Sequence, residues 1–155
     1  ADDPEDKVRI GRYNLGTGDW AFAYYSLDPA TSPNGGWVGL SEITALGDNN
    51  FAVIERDNQG GPDASIKRIY KFSVAGVEFK PNADTPNFNV VAKSLVSDLI
   101  LDDAYGDTGG LIPEKLEGLA ALEDGSALIV NDNDGVDDNS GETQLLNLGA
   151  IFNGN

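Results

Sequence analysis

Short runs of apolar residues alternate with polar, glycine-rich segments along the whole chain. No segment keeps the helical spacing of apolar residues over about 11 positions, the window in which an amphipathic helix can be recognised. Alternation of apolar and polar residues, which is typical of a half-buried strand, is clearest in IKRIYKFSV, residues 66–74. The pattern therefore predicts an all-β protein.

Eight segments combine an apolar or alternating run with a turn signal at one end. Residues 77–79 and 89–95 are weaker strand candidates, and SLVSDLI, residues 95–101, fits either a strand or a short helical turn. We therefore expect short antiparallel strands joined by tight turns. The eight predicted strands are residues 7–14, 20–27, 37–46, 51–56, 66–74, 119–122, 127–130 and 143–148.

Two parts of the chain share one pattern. SEITAL (41–46), a turn and FAVIERDN (51–58) align with EGLAAL (117–122), a turn and ALIVNDND (127–134). Each copy continues through an acidic, glycine-rich loop into an apolar strand. The order strand, turn, strand, polar loop, strand is typical of a β-propeller blade. We therefore predict blade-like repeats over about residues 37–80 and 115–149.

The length of 155 residues suits a single domain, residues 1–155. A propeller blade takes about 40–50 residues, so the chain has room for about three blades, whereas closure of the ring needs at least about four. The expected architecture is an incomplete β-propeller of antiparallel blades with open sheet edges. Such edges tend to pair with other strands, which predicts a homo-oligomer or a companion chain that completes the ring.

The net charge of −16 limits the partners of the chain. Nucleic acids and anionic membranes repel an acidic surface, and no apolar run approaches the roughly 18 residues of a membrane span. Cysteine and histidine are absent, which excludes Ser-His and Cys-His nucleophiles and thiolate or imidazole metal sites. A divalent cation held by oxygen ligands is the expected partner, and this favours Ca²⁺ over Mg²⁺.

Methionine is also absent, so Ala1 is not a native translation start. We expect a processed or cut product from which an export signal has been removed. An acidic, cysteine-free chain that is rich in Asp, Asn and Gly suits a secreted or periplasmic bacterial protein.

A cluster of Asp and Asn residues follows the strand predicted at residues 127–130. Asn131, Asp132, Asn133 and Asp134 place four oxygen-bearing side chains in succession. Carboxylate and carbonyl oxygens are the ligands that Ca²⁺ prefers, so one interpretation is a calcium site. The alternative is a solvated turn in which these side chains cap their own backbone.

The loop that follows adds Asp137, Asp138 and Glu142 to this acidic region. The spacing excludes an EF-hand, because Val130 or Val136 would occupy the place of the first Asp of that motif.

Other charged residues stand at the ends of the predicted strands. Glu42 and Glu117, before hydrophobic strands in the two repeats, fit either a carboxylate that lines a central channel, as ligand or base, or a hydrogen bond between blades. Glu55, Arg56 and Asp57 fit either a local ion pair or a catalytic set.

Two further groups of residues each have both a binding interpretation and a purely structural one. The densest cations could bind a phosphate group, but the outward face of a strand explains them as well. Four aromatic residues could form a sugar-stacking surface, although aromatic residues in hairpins are more often core. The cations are Lys67, Arg68 and Lys71, and the aromatic residues are Trp20, Tyr24, Tyr25 and Trp37.

The second repeat, LEGLAALEDGSALIVNDND followed by ETQLLNLG, resembles the bacterial "esterase-like activity of phytase" family, whose members carry an E-G-[IL]-A, D-G, [VI]-N-D-N-D pattern. The first repeat, with GLSEITAL, VIERDN and KRIYKFSV, is similar to an upstream blade of the same family. The likeness spans about residues 39–149. Family members are usually much longer, so the chain resembles a C-terminal portion.

The resemblance implies a propeller-like fold, export from the cytoplasm and metal-dependent phosphoester chemistry. It implies acidic functional residues in both repeats, which we assign to catalytic and ligand roles. A non-catalytic, calcium-dependent binding or structural module that assembles through open sheet edges is the alternative. The predicted catalytic residues are Glu42, Glu117 and Asp57, and the predicted metal ligands are Asp132, Asp134, Asn131, Asn133 and Glu55.

Overall fold

The structure is a computed structural model that describes residues 2–133 and 143–153. Within these residues the chain forms nine β-strands and three single-turn 3₁₀ helices, so the all-β prediction is confirmed. The helices are Gly61–Asp63, Asn82–Asp84 and Gly106–Thr108. The strands are β1 (Lys7–Tyr13), β2 (Trp20–Ser26), β3 (Val38–Gly47), β4 (Asn50–Asp57), β5 (Lys67–Ser73), β6 (Lys93–Asp98), β7 (Leu116–Ala121), β8 (Ala127–Asn131) and β9 (Leu145–Asn147).

The strands form three antiparallel sheets, and none of these sheets is closed. The first sheet contains β1 and β2, the second has the order β3-β4-β5-β6, and the third has the order β7-β8-β9. Every strand pairs with its neighbour in sequence, as expected for short runs separated by turn residues. None of the helices in the described residues is long and apolar enough to cross a bilayer.

The two weaker strand predictions concern segments that lie along the first sheet. Residues 77–79 form no strand. The strand predicted at residues 89–95 is displaced, because the segment before β6 bonds to the outer edge of β2 instead. The Tyr24 amide donates to the Asn89 carbonyl at 2.7 Å, and the Val91 amide donates to the Tyr24 carbonyl at 2.8 Å. Isolated bridges thus cover this edge, and β6 begins only at Lys93.

The ambiguous segment at residues 95–101 is a strand that ends in a turn. β6 continues to Asp98, whose Oδ1 accepts hydrogen bonds from the amides of Ile100 at 3.3 Å and Leu101 at 3.2 Å. An Asp side chain that bonds to the backbone two and three residues ahead favours a turn over a continued strand.

The two aligned hairpins share an irregularity at the same position. In the first hairpin the register breaks between Leu40 and Glu42, and in the second it breaks between Leu116 and Gly118. The residues skipped are Ser41 and Glu117, which also align in sequence. A β-bulge at matching places is a specific backbone feature, and it supports the alignment of the two hairpins residue by residue.

The second sheet packs on both of its faces. Val53 contributes to a cluster of buried residues against the first sheet, the first-sheet core, while Ala52 and Ile54 contribute to a cluster against the third sheet, the third-sheet core. Successive residues of β4 point to opposite faces, which explains why an almost continuous apolar run forms this strand. The first-sheet core contains Ala23, Tyr25, Val53, Tyr70, Phe72 and Val91, and the third-sheet core contains Ala52, Ile54, Ile69, Leu99, Tyr105, Leu116, Leu119, Ala127 and Ile129.

Side chains of β3 bind the second sheet to the third. The Ser41 hydroxyl donates to the Leu116 carbonyl at 2.5 Å, and the Thr44 hydroxyl donates to the Leu119 carbonyl at 2.7 Å. Within the described residues, no strand pairs with the outer side of β1, β3 or β7. The second sheet therefore lies between the other two, and β6 and β9 form further sheet edges that pair with no strand of the described residues.

Leu99 and Leu95 provide a matched test of the third-sheet core. Leu99 is fully buried and Leu95 is 51% exposed. We expect Leu99→Ala to lower the free energy of unfolding by about 2–5 kcal/mol, because it leaves a cavity in the core. Leu95→Ala should lower it by less than about 1 kcal/mol. Urea unfolding measures both values, and equal losses would contradict the packing described here.

Candidate functional site

The acidic motif of the first repeat lies at the end of β4, and its three charged residues are buried. Alternation along the strand puts Glu55 on the face toward the first sheet and Arg56 on the face toward the third. The ion pairs of Glu55, Arg56 and Asp57 are accordingly made to other parts of the chain. The predicted local ion pair within this motif does not form.

Glu55 has both carboxylate oxygens bonded to protein donors. Oε2 accepts from the Tyr25 hydroxyl and from Lys93 Nζ, both at 2.7 Å, and Oε1 accepts from the Asp28 amide at 2.5 Å. A fully buried carboxylate without such partners would destabilise the fold by several kcal/mol. Burial and the neighbouring Glu55 raise the pKa of Tyr25 far above its usual range, which keeps the phenol protonated as a donor.

Salt bridges continue from Glu55 across the sheet, and we call the whole set the Glu55 network. Lys93 Nζ also binds Asp28 at 2.8 Å, and Arg68 bridges Asp28 at 2.6 Å and Asp98 at 2.7 Å. Burial opposes ionisation of Asp28, but hydrogen bonds from Lys93, the Tyr70 hydroxyl and Arg68 outweigh it and lower the pKa of this carboxyl. The network comprises Glu55, Lys93, Asp28, Arg68 and Asp98.

Asp57 is held by backbone and side-chain donors. Its Oδ2 accepts from the amides of Ser65 at 2.7 Å and Ile66 at 3.0 Å, and its Oδ1 accepts from Lys67 Nζ at 2.8 Å. Burial alone would raise the pKa of Asp57, but these hydrogen bonds lower it. Asp57 is 1% exposed, so this placement offers no contact with a substrate and favours a role in folding over the predicted catalytic role.

Lys67 departs from the expectation that it lies on the outward face of a strand. It is opposite Arg56 in the sheet, on the face toward the third sheet, and is fully buried. Burial lowers the pKa of its ammonium group and the Asp57 carboxylate limits that fall. The regular alternation in residues 66–74 predicted the strand correctly, but it did not show which face would be covered.

Arg56 and Glu117 bring the two repeats together. Arg56 Nη2 lies 2.6 Å from Glu117 Oε1, and the guanidinium lies 5.5 Å from the ring centroid of Trp37. The Arg56 side chain is 9% exposed, whereas that of Glu117 is 37% exposed. Glu117 therefore presents a carboxylate to solvent while a buried guanidinium fixes its position.

Glu42 and Glu117 do not occupy equivalent positions in the two hairpins. Glu117 is the bulge residue of its hairpin and aligns with Ser41, so Glu42 aligns with Gly118. Glu42 is half-buried, and its Oε1 accepts a hydrogen bond from the amide of Ile43 at 2.8 Å. Of the predicted catalytic carboxylates, only Glu117 is positioned by a basic side chain at a partly open surface.

The predicted calcium ligands are placed in different surroundings. Asn131 is buried, and its Oδ1 accepts from the amide of Gln144 at 2.5 Å, so it closes the gap between β8 and the chain entering β9. Asp132 is exposed, and its amide donates to the Lys115 carbonyl at 2.8 Å. Asn133 is half-buried, while Asp134 lies outside the described residues.

The fit of a divalent ion to these ligands is only partial. The Asn131 side chain already binds the backbone of its own sheet. The Glu55 carboxylate already binds the ammonium group of Lys93, which occupies the position that a metal ion would need. No three acidic side chains converge on a possible metal position within residues 2–133 and 143–153. Asp132 is the predicted ligand in this range that carries a charge at the surface, next to Asn133. Asp137, Asp138 and Glu142 also lie outside the described residues.

The aromatic residues separate into two groups. Tyr24 and Tyr25 are buried, as the core interpretation expects, whereas Trp20 and Trp37 are each more than half exposed. Trp20 stacks on Phe22 with ring centroids 6.2 Å apart.

A large cleft is present, but it does not coincide with the acidic strand ends. It has a volume of about 790 Å³ and lies at the turn end of both hairpins, between Leu46, Lys71, Glu123 and Phe152. A smaller cleft of about 380 Å³ separates β1 from β3 and is lined by Ile10, Leu40 and Ile43. Because Asp57, Glu117 and Asp132 lie at the opposite end of the hairpins, we place the candidate site there on its chemistry and not on cavity size.

Several residues of the site were missed in the sequence. Asp28, Lys93 and Asp98 lie far from the acidic motif along the chain, in a loop and at the two ends of β6. One signal was present: the chain has only 10 Lys and Arg against 26 Asp and Glu. A buried Glu and Asp in such a chain must recruit basic residues from elsewhere. Four cations do converge on this end of the second sheet, namely Arg56, Lys67, Arg68 and Lys93.

A family model described as esterase-like activity of phytase matches residues 1–135. The chain belongs to this phytase-like family. The match includes residues 1–38, which carried no recognisable motif, and it ends within the acidic loop after β8. Comparisons with curated proteins and with solved structures gave no match. The match thus covers the first two sheets and strands β7 and β8 of the third.

The lowered pKa values of Asp28 and Asp57 predict loss of stability in acid. Both carboxyls ionise more readily in the folded protein than in the unfolded chain, where the pKa of Asp is about 3.9. Their contribution is complete above that pH and is lost as the pH falls through the lowered folded values. Urea unfolding should therefore give a lower free energy near pH 3 than near pH 7.

Asp28→Asn tests the assignment of this pH dependence. The variant should be less stable at neutral pH and should lose less stability on acidification than the wild-type chain. The exposed Asp84 provides the control, since Asp84→Asn should keep the wild-type dependence. An unchanged acid-induced loss in Asp28→Asn would exclude the Glu55 network as its source.

Proposed function

We propose that this phytase-like domain hydrolyses phosphoesters at the strand ends where the two repeats meet. The observation that carries the proposal is the Arg56–Glu117 pair, because it holds a partly exposed carboxylate at the end of the hairpin that also carries Asp132, in a family named for phytase and esterase activity. Glu117 accepts a proton from the attacking water as general base. Arg56 is too deeply buried to bind substrate and keeps this carboxylate in position.

We further propose that the reaction depends on calcium. Asp132, Asn133 and Asp134 are the residues that would hold the ion, and Asn131 and Glu55 are omitted because their oxygens are already bonded within the fold. Bound calcium would supply positive charge to the phosphate oxygens, which the basic residues here do not do because they pair with acidic partners.

We also propose that the complete assembly is a β-propeller, and that the protein is exported from a bacterial cytoplasm, as the family resemblance implies. A four-stranded central sheet that is packed on both faces by neighbouring sheets is the arrangement of a propeller blade. The bulges at Ser41 and Glu117 support two blades built on one plan. Further strands from another chain or a second copy would extend the open edges and complete the ring.

A second candidate function is a non-catalytic, calcium-dependent module that assembles through those edges. The cleft between β1 and β3 favours it, because β1 has an unpaired edge and Ile43 is 51% exposed beside Ile10 and Leu40. Exposed apolar surface along an open strand edge is a common basis for strand addition. In this case the carboxylates at the strand ends would bind calcium for structural purposes.

Phosphate release separates these two functions. With calcium, the wild-type domain should release phosphate from myo-inositol hexakisphosphate or p-nitrophenyl phosphate. Glu117→Gln should lower kcat by about 100-fold or more because the base is removed, and Asp132→Asn should lower kcat/KM by at least about 10-fold. Asp84→Asn is the exposed control and should retain the wild-type rate. Calcium binding without any turnover would reject hydrolysis and favour the structural module.

Light scattering tests assembly through the open edges. We expect the wild-type chain to form a dimer or to bind a companion chain, and Ile43→Lys to shift it to a monomer by placing a charge in the cleft. Leu101→Lys changes an 81% exposed residue outside this cleft and should leave the assembly unchanged. A stable wild-type monomer that binds no companion chain would contradict this prediction.

A further inference from the structure

The ammonium group of Lys67 is surrounded by oxygen atoms. Nζ lies 2.8 Å from Asp57 Oδ1, 3.0 Å from the Asp57 carbonyl, 2.7 Å from the Gln59 carbonyl and 3.1 Å from the Glu114 carbonyl. Lys67 is fully buried. Four acceptors around one nitrogen fit a protonated ammonium, which donates through three N–H groups, one of them shared between two oxygens, and accepts no hydrogen bond. We call these four atoms the oxygen cage.

The oxygen cage has the composition of a cation site. Three backbone carbonyls and one carboxylate give it a single negative charge, which a monovalent cation neutralises. The distances of 2.7–3.1 Å exceed the 2.3–2.6 Å of calcium–oxygen bonds, and four oxygens are fewer than the six to eight that calcium takes. The cage is thus shaped for a larger, singly charged ion such as ammonium or potassium.

The cage also explains how two separate segments are held against the second sheet. Asp57 and Gln59 belong to the chain leaving β4, whereas Glu114 belongs to the segment that leads into β7. Gly60 and Gly61 lie in the same region, where the Gly61 amide donates to the Ile112 carbonyl at 2.8 Å. A positive charge in the cage therefore fixes the approach of the third sheet to the second.

The second repeat lacks this arrangement. In the second repeat Leu145 pairs with Val130, and in the first repeat Ile69 pairs with Ile54. Leu145 therefore aligns with Ile69. Two residues earlier in each strand, Thr143 aligns with Lys67. Asn133 likewise aligns with Asp57 in the repeat alignment. Both members of the ion pair are thus replaced by neutral residues in the second repeat, and the cage is a specific feature of the first.

We propose that the oxygen cage is a monovalent-cation site that the Lys67 side chain fills, and that shortening this side chain opens it to free ammonium or potassium. This inference does not depend on the proposed hydrolytic function. It assigns to Asp57 a role as ligand of an internal cation, and to Lys67 the role that a bound ion has in other proteins.

Chemical rescue of Lys67→Ala tests the proposal. Loss of a buried ion-pair partner should lower Tm by about 10 °C. Ammonium or potassium chloride at about 100 mM should then raise Tm by several degrees more than sodium or choline chloride at equal ionic strength, through binding to the folded state. Lys71→Ala removes a lysine from the same strand and should show no preference among these salts. Equal effects of all four salts on Lys67→Ala, or rescue by calcium alone, would overturn the proposal.

A measurement on the wild-type chain covers the case in which Lys67→Ala does not fold. With lysine labelled by ¹⁵N, one side-chain ammonium should show protons in slow exchange with water, because all its donors are bonded in a buried cage. Lys67→Arg, which adds bulk to the cage, should lose this signal if it folds. If every lysine ammonium of the wild-type chain exchanges rapidly, Lys67 is not enclosed as described and the proposal fails.

Discussion

The structure depends on neutralising two buried carboxylates at the end of β4. Glu55 and Asp57 are almost completely inaccessible, and each is bound by the ammonium group of a lysine that comes from another strand. Lys93 belongs to β6 and Lys67 to β5, so both salt bridges can form only when the second sheet is complete. Removing either partner would leave an uncompensated charge in the core, which costs about 3–5 kcal/mol.

This constraint distinguishes the strand ends of the two repeats. The acidic strand end of the first repeat is neutralised by Lys67 and Lys93, whereas the second repeat has Asn131 and Asn133 where the first has Glu55 and Asp57. Its charge lies instead on Asp132, at the surface. In a chain of net charge −16, a strand end whose carboxylate lies at the surface is the natural place for an external cation. The proposed calcium site and the internal ammonium site thus follow from one difference between related hairpins.

Much of the secondary structure could be predicted because it depends on local pattern. Alternation and turn residues identified β1 to β5 and the second repeat, and the repeat alignment matched the shared bulge. The partners of the buried charged residues could not be predicted, because they depend on which face of each strand is covered by another sheet. IKRIYKFSV, residues 66–74, shows this: its pattern specifies a strand, but only contact with the third sheet makes Lys67 a buried residue. Asp28 and Lys93 were missed for the same reason.

Calorimetric titration of calcium tests the central claim most directly, namely that the second repeat and not the first binds an external cation. The account predicts binding by the wild-type chain and its loss in Asp132→Asn. Glu55→Gln should keep calcium binding, because Gln Oε1 can still accept from the Asp28 amide while its Nε2 donates to the Tyr25 hydroxyl oxygen. Unchanged affinity in Asp132→Asn, or loss of binding in a folded Glu55→Gln variant, would contradict the account.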